Sequence, residues 1–165
     1  MTGDMRTAVA GPDRLERVLG WGSLAMLAIL IAALLRGRLE WHAIPRPVWP
    51  HLVTIALALG LTPAILWQRR GDARHRVLGY VWVTAMAATA LISFAIRMTN
   101  HGGLSLIHLL SAWVLIQVPI IVWSARAHNW HRHRQSIRGM VIGALLIAGA
   151  FTLPFGRLLG RWLFG

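Results

Sequence analysis

The sequence predicts an all-α integral membrane helical bundle with five spans, and three observations carry that prediction. The chain of 165 residues is 56% hydrophobic with a mean hydropathy of +0.58, which is typical of a single membrane domain. Its apolar residues fall into five long runs separated by arginine-containing segments. These runs are continuous, whereas the strands of a spanning barrel would alternate polar and apolar residues over about ten positions.

The first span follows a short polar segment. Residues 1–17 carry charges of both signs and are predicted to form a cytoplasmic leader. Residues 18–35 follow without a charge, and a run of this length is typical of a spanning helix. The run is too long for the core of a usual signal peptide and lacks a small-residue cleavage site after it, so we expect it to stay in the protein.

Four further spans are predicted over residues 51–68, 77–96, 104–125 and 139–155, so that residues 18–165 form one transmembrane domain. The segment before the second span contains Pro45, Pro47 and Pro50, which exclude a regular helix there. After the last span, Arg157 and Arg161 are predicted to belong to a tail at the membrane surface.

Two of the predicted hairpins repeat one pattern. Pro63 follows His51 by twelve residues, Pro119 follows His108 by eleven, and in both copies a tryptophan comes four residues after the proline. Internal repeats constrain architecture more strongly than local propensity does. Spans two to five are therefore predicted to form a pseudo-repeated four-helix core, with the two prolines at equivalent positions.

The positive charge indicates orientation and partners. All 17 basic residues are arginines, and the net charge is +12. They flank the apolar runs and form no continuous stripe, which favours anionic membrane lipids over nucleic acid as partners. One side of the predicted spans carries 11 arginines and the other 6, so the N-terminus is predicted to lie in the cytoplasm and the C-terminus outside.

The sequence contains few acidic residues and no cysteine. The five acidic residues all fall outside the predicted spans: Asp4, Asp13, Glu16, Glu40 and Asp72. This counts against a proton- or sodium-coupled pump and against serine hydrolysis, which need carboxylates at membrane depth or beside a histidine base. The absence of cysteine excludes disulfides, iron–sulfur clusters and thioether-attached haem. Histidine is left as the candidate for chemistry.

Four histidines stand in two pairs at the ends of predicted spans. His51 and His108 belong to the outer ends of spans two and four, and His75 and His133 to the inner ends of spans three and five. Two histidines at equal depth on separate helices are what bis-imidazole ligation of a b-type haem needs. We therefore predict these pairs to be the metal ligands of two haem b groups, with His131 as an alternative to His133.

Arginines beside the histidines are candidates for holding the haem propionates. Arg76, Arg132 and Arg134 would do so at the inner face, and Arg46 or Arg97 at the outer face. A plainer interpretation stays open for each histidine, because interfacial histidines next to arginines often only contact lipid phosphates. All four histidines also lie at the extreme ends of their spans, which is shallow for a haem ligand.

Four motifs between about residue 50 and the C-terminus carry a resemblance: His75-Arg76-x-x-Gly79-Tyr80, Ser105-x-x-His108-Leu109-Leu110-Ser111, His133-Arg134-x-x-x-Arg138-Gly139 and Ala148-Gly149-x-Phe151-Thr152-x-Pro154-x-Gly156-Arg157. With them the chain resembles a family of bacterial multi-pass membrane proteins of unknown function, although Ile137 stands where that family commonly has methionine. The resemblance implies a bacterial inner-membrane protein with a four-helix core and one leading helix, and it implies no established activity.

The histidine pairing is also similar in pattern to the ascorbate-linked transmembrane dihaem b-type cytochromes, although the intervals from the first to the second and from the third to the fourth histidine are shorter here. That similarity implies haem b, electron transfer and an electron donor or acceptor as partner, as in a component of a membrane oxidoreductase. Two alternatives stay open. The chain could be a non-catalytic accessory subunit that docks other subunits of a larger membrane complex, or a transporter of a small uncharged or anionic solute.

Overall fold

A computed structural model describes residues 11–68, 71–96, 106–154 and 156–165, and within these ranges the chain is helical and has no strand. Four helices come first: α1 (Arg14–Arg36), α2 (Val48–Trp67), α3 (Ala73–Ser93) and α4 (Leu106–Arg126). The helix α5 has three parts, which are an α-helix over Trp130–Met140, a π-helix over Val141–Ile147 and an α-helical turn over Ala148–Ala150. A 3-10 helix, Arg38–Ala43, follows α1, and the short helix α6, Leu158–Phe164, follows α5.

Helices α1 to α4 are each long and apolar enough to cross a membrane. This confirms the prediction of an all-α protein with several membrane-compatible helices. The fifth predicted span, residues 139–155, coincides mainly with the π-helical and final parts of α5, and five spans are not confirmed. Residues 104–105, at the predicted start of span four, and residue 155 lie outside the described residues.

The helix α1 begins before the predicted first span because two acidic residues cap it. The Asp13 carboxylate accepts a hydrogen bond from the Glu16 backbone N–H at 2.9 Å, and the Glu16 carboxylate accepts one from the Asp13 N–H at 3.2 Å. This reciprocal arrangement is a capping box, which satisfies N–H groups that the first turn cannot pair internally. The end of the predicted leader, at residue 17, therefore lies inside α1, while residues 1–10 lie outside the described residues.

The five long helices form a closed ring. Each of α1 to α4 packs on the helix that follows it, and α5 packs back on α1. The leading helix α1 thus belongs to the ring, instead of standing outside a core made by the next four helices. Such a ring buries one face of every helix and encloses a central space.

The sequence repeat does not give its two copies equivalent surroundings. Pro63 lies inside α2 and Pro119 inside α4, as predicted, but Pro63 is buried whereas Pro119 is exposed. Trp67 packs on Trp21 of α1, with ring centroids 5.4 Å apart, while Trp123 is 59% exposed. The pseudo-repeat is therefore not confirmed, and the difference arises because α1 packs over the end of α2.

Trp82 of α3 joins α2 and α3 in the core. It is 1% exposed, and its indole N–H donates to the Thr62 hydroxyl at 3.0 Å and to the Ala58 carbonyl at 3.1 Å. A buried indole N–H needs such a partner, because an unpaired polar group in an apolar interior is costly. Thr62, which accepts one of these hydrogen bonds, lies one residue before Pro63, which has no backbone N–H of its own.

The short helix α6 packs against the C-terminal end of α1. The Trp162 side chain is 8% exposed, and its indole donates to the Glu40 carboxylate at 3.0 Å. A Cβ atom on Gly37 would lie 2.0 Å from the Trp162 ring, so this contact requires glycine. The predicted surface tail is thus partly folded into the protein, although Phe164 at its end stays exposed.

Candidate functional site

A cavity of about 520 Å³ lies within the ring of helices. It is bordered by the later halves of α1, α3 and α5 and by the earlier halves of α2 and α4. Its wall is mainly apolar and includes Met26, Leu59, Met86, Val114 and Gly143, one from each of the five helices. This volume falls within the range of small-molecule sites, which is about 300–1,000 Å³.

One wall of the cavity carries a chain of hydrogen bonds between α2 and α3. The Thr89 hydroxyl lies 2.7 Å from the Thr54 hydroxyl and 2.8 Å from the Ala85 carbonyl. The Ser93 hydroxyl lies 2.8 Å from the Thr89 carbonyl and 3.1 Å from Nδ1 of His51. Because Thr89, Ser93 and His51 all line the cavity, they supply polar groups on an otherwise apolar surface.

Ser93 sets the tautomer of His51. A hydroxyl group has one hydrogen, and the contact of Ser93 with the Thr89 carbonyl is shorter than its contact with His51. We therefore assign the Ser93 hydroxyl as the donor to the Thr89 carbonyl and as the acceptor of the Nδ1–H of His51. In this arrangement the neutral imidazole of His51 presents Nε2 as an acceptor or as a metal ligand.

The predicted outer pair lies on the two sides of the end of α3. His51 contacts Ser93, while the ring of His108 packs on Phe94 with centroids 5.7 Å apart. His108 is 3% exposed. Of the described residues that line the cavity, His51 is the one histidine. The structure thus brings the two residues to the same end of the ring but does not turn both toward the cavity.

The predicted inner pair lies at the opposite end of the ring. His75 stands in the first turn of α3, where its backbone N–H donates to the Asp72 carboxylate at 2.6 Å. His133 stands in the first turn of α5, and its Nδ1 lies 3.0 Å from the Ile121 carbonyl of α4. That contact requires Nδ1 to carry the proton, so it sets both tautomer and ring orientation. His131, the alternative to His133, is exposed.

Two of the arginines predicted to hold haem propionates, Arg76 and Arg134, contact other groups in this structure. Arg76 is exposed, and its guanidinium donates to the Gly71 carbonyl at 3.4 Å. Arg134 contacts the carboxylates of Asp13 and Glu16 at the start of α1. Of the outer candidates, Arg46 is exposed and Arg97 lies outside the described residues.

A charged cluster joins the start of α1 to α5. Nε of Arg134 donates to Oε1 of Glu16 at 2.6 Å and its Nη2 to Oε2 at 3.1 Å, which is a two-bond fork. Arg138 lies 3.1 Å from the same carboxylate and also pairs with Asp13. The Glu16 side chain is 2% exposed, so these pairs are well shielded on that side.

The charged cluster shifts the pKa of its outer members. Burial acts to raise the pKa of the Asp13 carboxyl, but the Glu16 N–H and the guanidinium groups of Arg138 and Arg134 outweigh it and hold this pKa below its usual value. The hydrogen bond to Glu16 raises the pKa of Arg134 in turn. The sequence analysis did not predict this cluster, although the sequence contains a signal for it. The patterns Asp13-x-x-Glu16 and Arg134-x-x-x-Arg138 each place two charges on one helix face.

Arg157 is a second residue whose position the sequence did not predict. It was expected at the membrane surface, whereas it is half-buried and lines the cavity. The acidic side chains that the structure describes form hydrogen bonds and ion pairs with groups other than Arg157: Asp13, Glu16, Glu40 and Asp72. Arg161 of α6 differs from Arg157, because its side chain is exposed and its guanidinium lies 3.6 Å from the Glu40 carboxylate.

Within the described ranges, no group of three or more histidine, aspartate or glutamate side chains could hold a metal ion, and a two-histidine haem site is not addressed by that finding. Comparisons with protein-family models, curated proteins and solved structures gave no significant match. The two resemblances drawn from the sequence therefore stay predictions. The cavity and its polar groups are the features of the structure that bear on function.

Proposed function

We propose that this protein spans the membrane five times and binds an amphipathic small molecule in the cavity between its helices. The observation that carries the proposal is the cavity of about 520 Å³, apolar over most of its wall, with His51, Ser93 and Arg157 among its lining. Small-molecule sites combine an apolar surface with a few polar groups that set the orientation of the ligand. The methionines of the wall, Met26 and Met86, adapt readily to the shape of a flexible apolar chain.

The five crossings are supported by which helix ends meet. The Trp67 indole at the end of α2 donates to the Glu16 carbonyl at the start of α1, and Arg134 near the start of α5 bonds to the same residue. Helices that cross fully in alternating directions would meet in this way. The arginine excess lies at this face, so we propose that it is cytoplasmic.

Orientation has a direct test. A reporter enzyme that is active only in the cytoplasm should be active when fused before Met1 and inactive when fused after Gly165, because an odd number of crossings puts the two termini on opposite sides. Activity at both termini would require an even number of crossings and would contradict the assignment of α5 as a span. Activity only after Gly165 would reverse the orientation.

Filling the cavity should weaken binding. Ala144 lines the cavity from the π-helical part of α5, and Ala150 is exposed near the end of the same helix. Replacing Ala144 by phenylalanine adds a ring that competes for the space of the ligand, so we expect at least tenfold weaker binding of hexadecanol by detergent-solubilised protein. Ala150→Phe serves as the matched control and should bind as the wild type does.

The measurement is a titration followed by native mass spectrometry, with thermal denaturation to show that both variants are folded. Equal binding by the two variants would place the ligand outside the cavity. Failure of the wild type to bind would overturn the proposal and favour the accessory-subunit interpretation.

Electron transfer through haem b is the second candidate function. It is favoured by the positions of His51 and His108, which contact the consecutive residues Ser93 and Phe94. It is also favoured by the ring orientation of His133, because a histidine that ligates a metal commonly donates its other N–H to a carbonyl. When bound, the haem would supply one-electron chemistry. Of the outer pair, His51 lines the cavity whereas His108 packs on Phe94, and for that reason haem ranks second.

A further inference from the structure

Resting on the function proposed above, we propose that the ligand is a single-chain amphiphile with an anionic head group. Its head lies between Arg157 and the His51–Ser93 pair, and its chain extends toward Met86 and Leu59. The carboxylate of a fatty acid and a long-chain phosphate monoester share this chemistry.

The charge of Arg157 favours an anionic ligand. It is half-buried at an apolar cavity, and the described residues offer it no carboxylate, whereas Arg161, four residues later in α6, has Glu40. A cation that faces an apolar space is costly unless an anion or several hydrogen-bond acceptors accompany it. The planar guanidinium forms two parallel hydrogen bonds to a carboxylate or a phosphate, so an anionic head group would satisfy it.

Polar and apolar side chains occupy different ends of the cavity. His51 lies near the start of α2, Ser93 at the end of α3, and Arg157 after the end of α5, which are helix ends on the same side of the ring. Residues farther from these ends, such as Leu59 and Met86, are apolar. A ligand that matches this division has its polar group at one end only.

The size of the cavity favours a single acyl chain. His51 and Leu59 both line the cavity and are eight residues apart on α2, which corresponds to a depth of about 12 Å along the helix axis. A space of about 520 Å³ between the helices suits one acyl chain, and the two chains of a phospholipid are less well accommodated. The rival for Arg157 is a phosphate of the surrounding bilayer, reached by extending the side chain outward.

The test compares two variants and three probes. Arg157→Gln removes the charge that lines the cavity, and Arg161→Gln removes an exposed charge from the same segment. The probes are palmitate, hexadecyl phosphate and methyl palmitate, titrated against the full-length protein in a short-chain detergent. We expect the wild type to bind palmitate or hexadecyl phosphate at least tenfold more tightly than the neutral ester.

Arg157→Gln should abolish that preference while leaving the affinity for methyl palmitate unchanged, and Arg157→Lys should restore part of it. Arg161→Gln should behave as the wild type.

If the wild type binds the ester and the anionic probes equally, or if Arg157→Gln keeps the preference, the head-group assignment is wrong, although the cavity proposal survives. If none of the probes binds, both proposals fail. Loss of co-purified phospholipid from Arg157→Gln with unchanged palmitate binding would assign Arg157 to the bilayer and overturn the inference.

Discussion

Glu16→Gln is expected to lower the free energy of unfolding by about 3 kcal/mol, because it removes the buried one of the two carboxylates that Arg134 and Arg138 share. The other, Asp13, is more exposed and remains as their partner. The Glu16 side chain is 2% exposed, while Arg134 and Arg138 are 29% and 21% exposed and can recover part of their hydration. The expected loss therefore lies at the low end of what breaking a buried pair costs, which is about 3–5 kcal/mol. Glutamine keeps an acceptor for the capping box, so the substitution removes charge with little effect on the start of α1.

The control for this prediction is Glu40→Gln. Glu40 lies 3.6 Å from Arg161 and both side chains are more than half exposed, so this substitution should cost less than about 1 kcal/mol. Thermal and denaturant unfolding in detergent would measure both variants. A double-mutant cycle with Arg134→Gln should show a coupling energy for the Glu16 pair, and an additive cycle would mean that the contact contributes nothing to stability.

His108→Ala is expected to remove one haem from a protein that holds two, if the electron-transfer candidate is correct. The His51–His108 and His75–His133 pairs lie at opposite ends of the ring, so the second pair should keep its absorption spectrum. The reduced α-band of the purified protein would lose about half of its intensity, and pyridine haemochrome analysis would count the haem per chain. The expected loss is complete for one site because a bis-imidazole iron cannot keep its geometry with one ligand missing.

His42→Ala is the matched control, since His42 is exposed on the 3-10 helix that follows α1 at the same end of the ring. It should keep the wild-type haem content. Wild-type haem content in the His108→Ala protein would exclude the predicted outer ligand pair. A colourless wild type, folded and purified from cells supplied with haem, would end the haem candidate altogether, and the amphiphile titrations would then decide between a binding protein and an accessory subunit.

The sequence by itself determined the helices and several of their boundaries. Long apolar runs without charges predict membrane-compatible helices because every backbone polar group must be satisfied within a segment surrounded by lipid. Local capping residues set where helices begin, as Asp13 does for α1 and Asp72 for α3, since each side chain accepts from a backbone N–H three residues later. These features depend on neighbours in the chain, so they can be derived without the fold.

The tertiary structure alone decided which faces meet. The sequence pattern placed His51 and His108 at equal depth, but only helix rotation turned His51 to the cavity and His108 to Phe94. Likewise Pro63 and Pro119 occupy matching sequence positions, yet only Pro63 is buried. The physical reason is that an apolar run with few polar residues carries little information on which side faces a neighbour.

Contacts between distant parts of the chain were the other outcome that only the fold decided. The pairing of Glu16 with Arg134 joins residues 118 positions apart, and Arg157, the N-cap residue of α6, lines the cavity together with residues of all five long helices. Charges can be counted in the sequence, but which of them become partners depends on the closure of the ring by α1 and α5. Helix formation is local and was predictable, whereas the candidate site is assembled from five helices and was not.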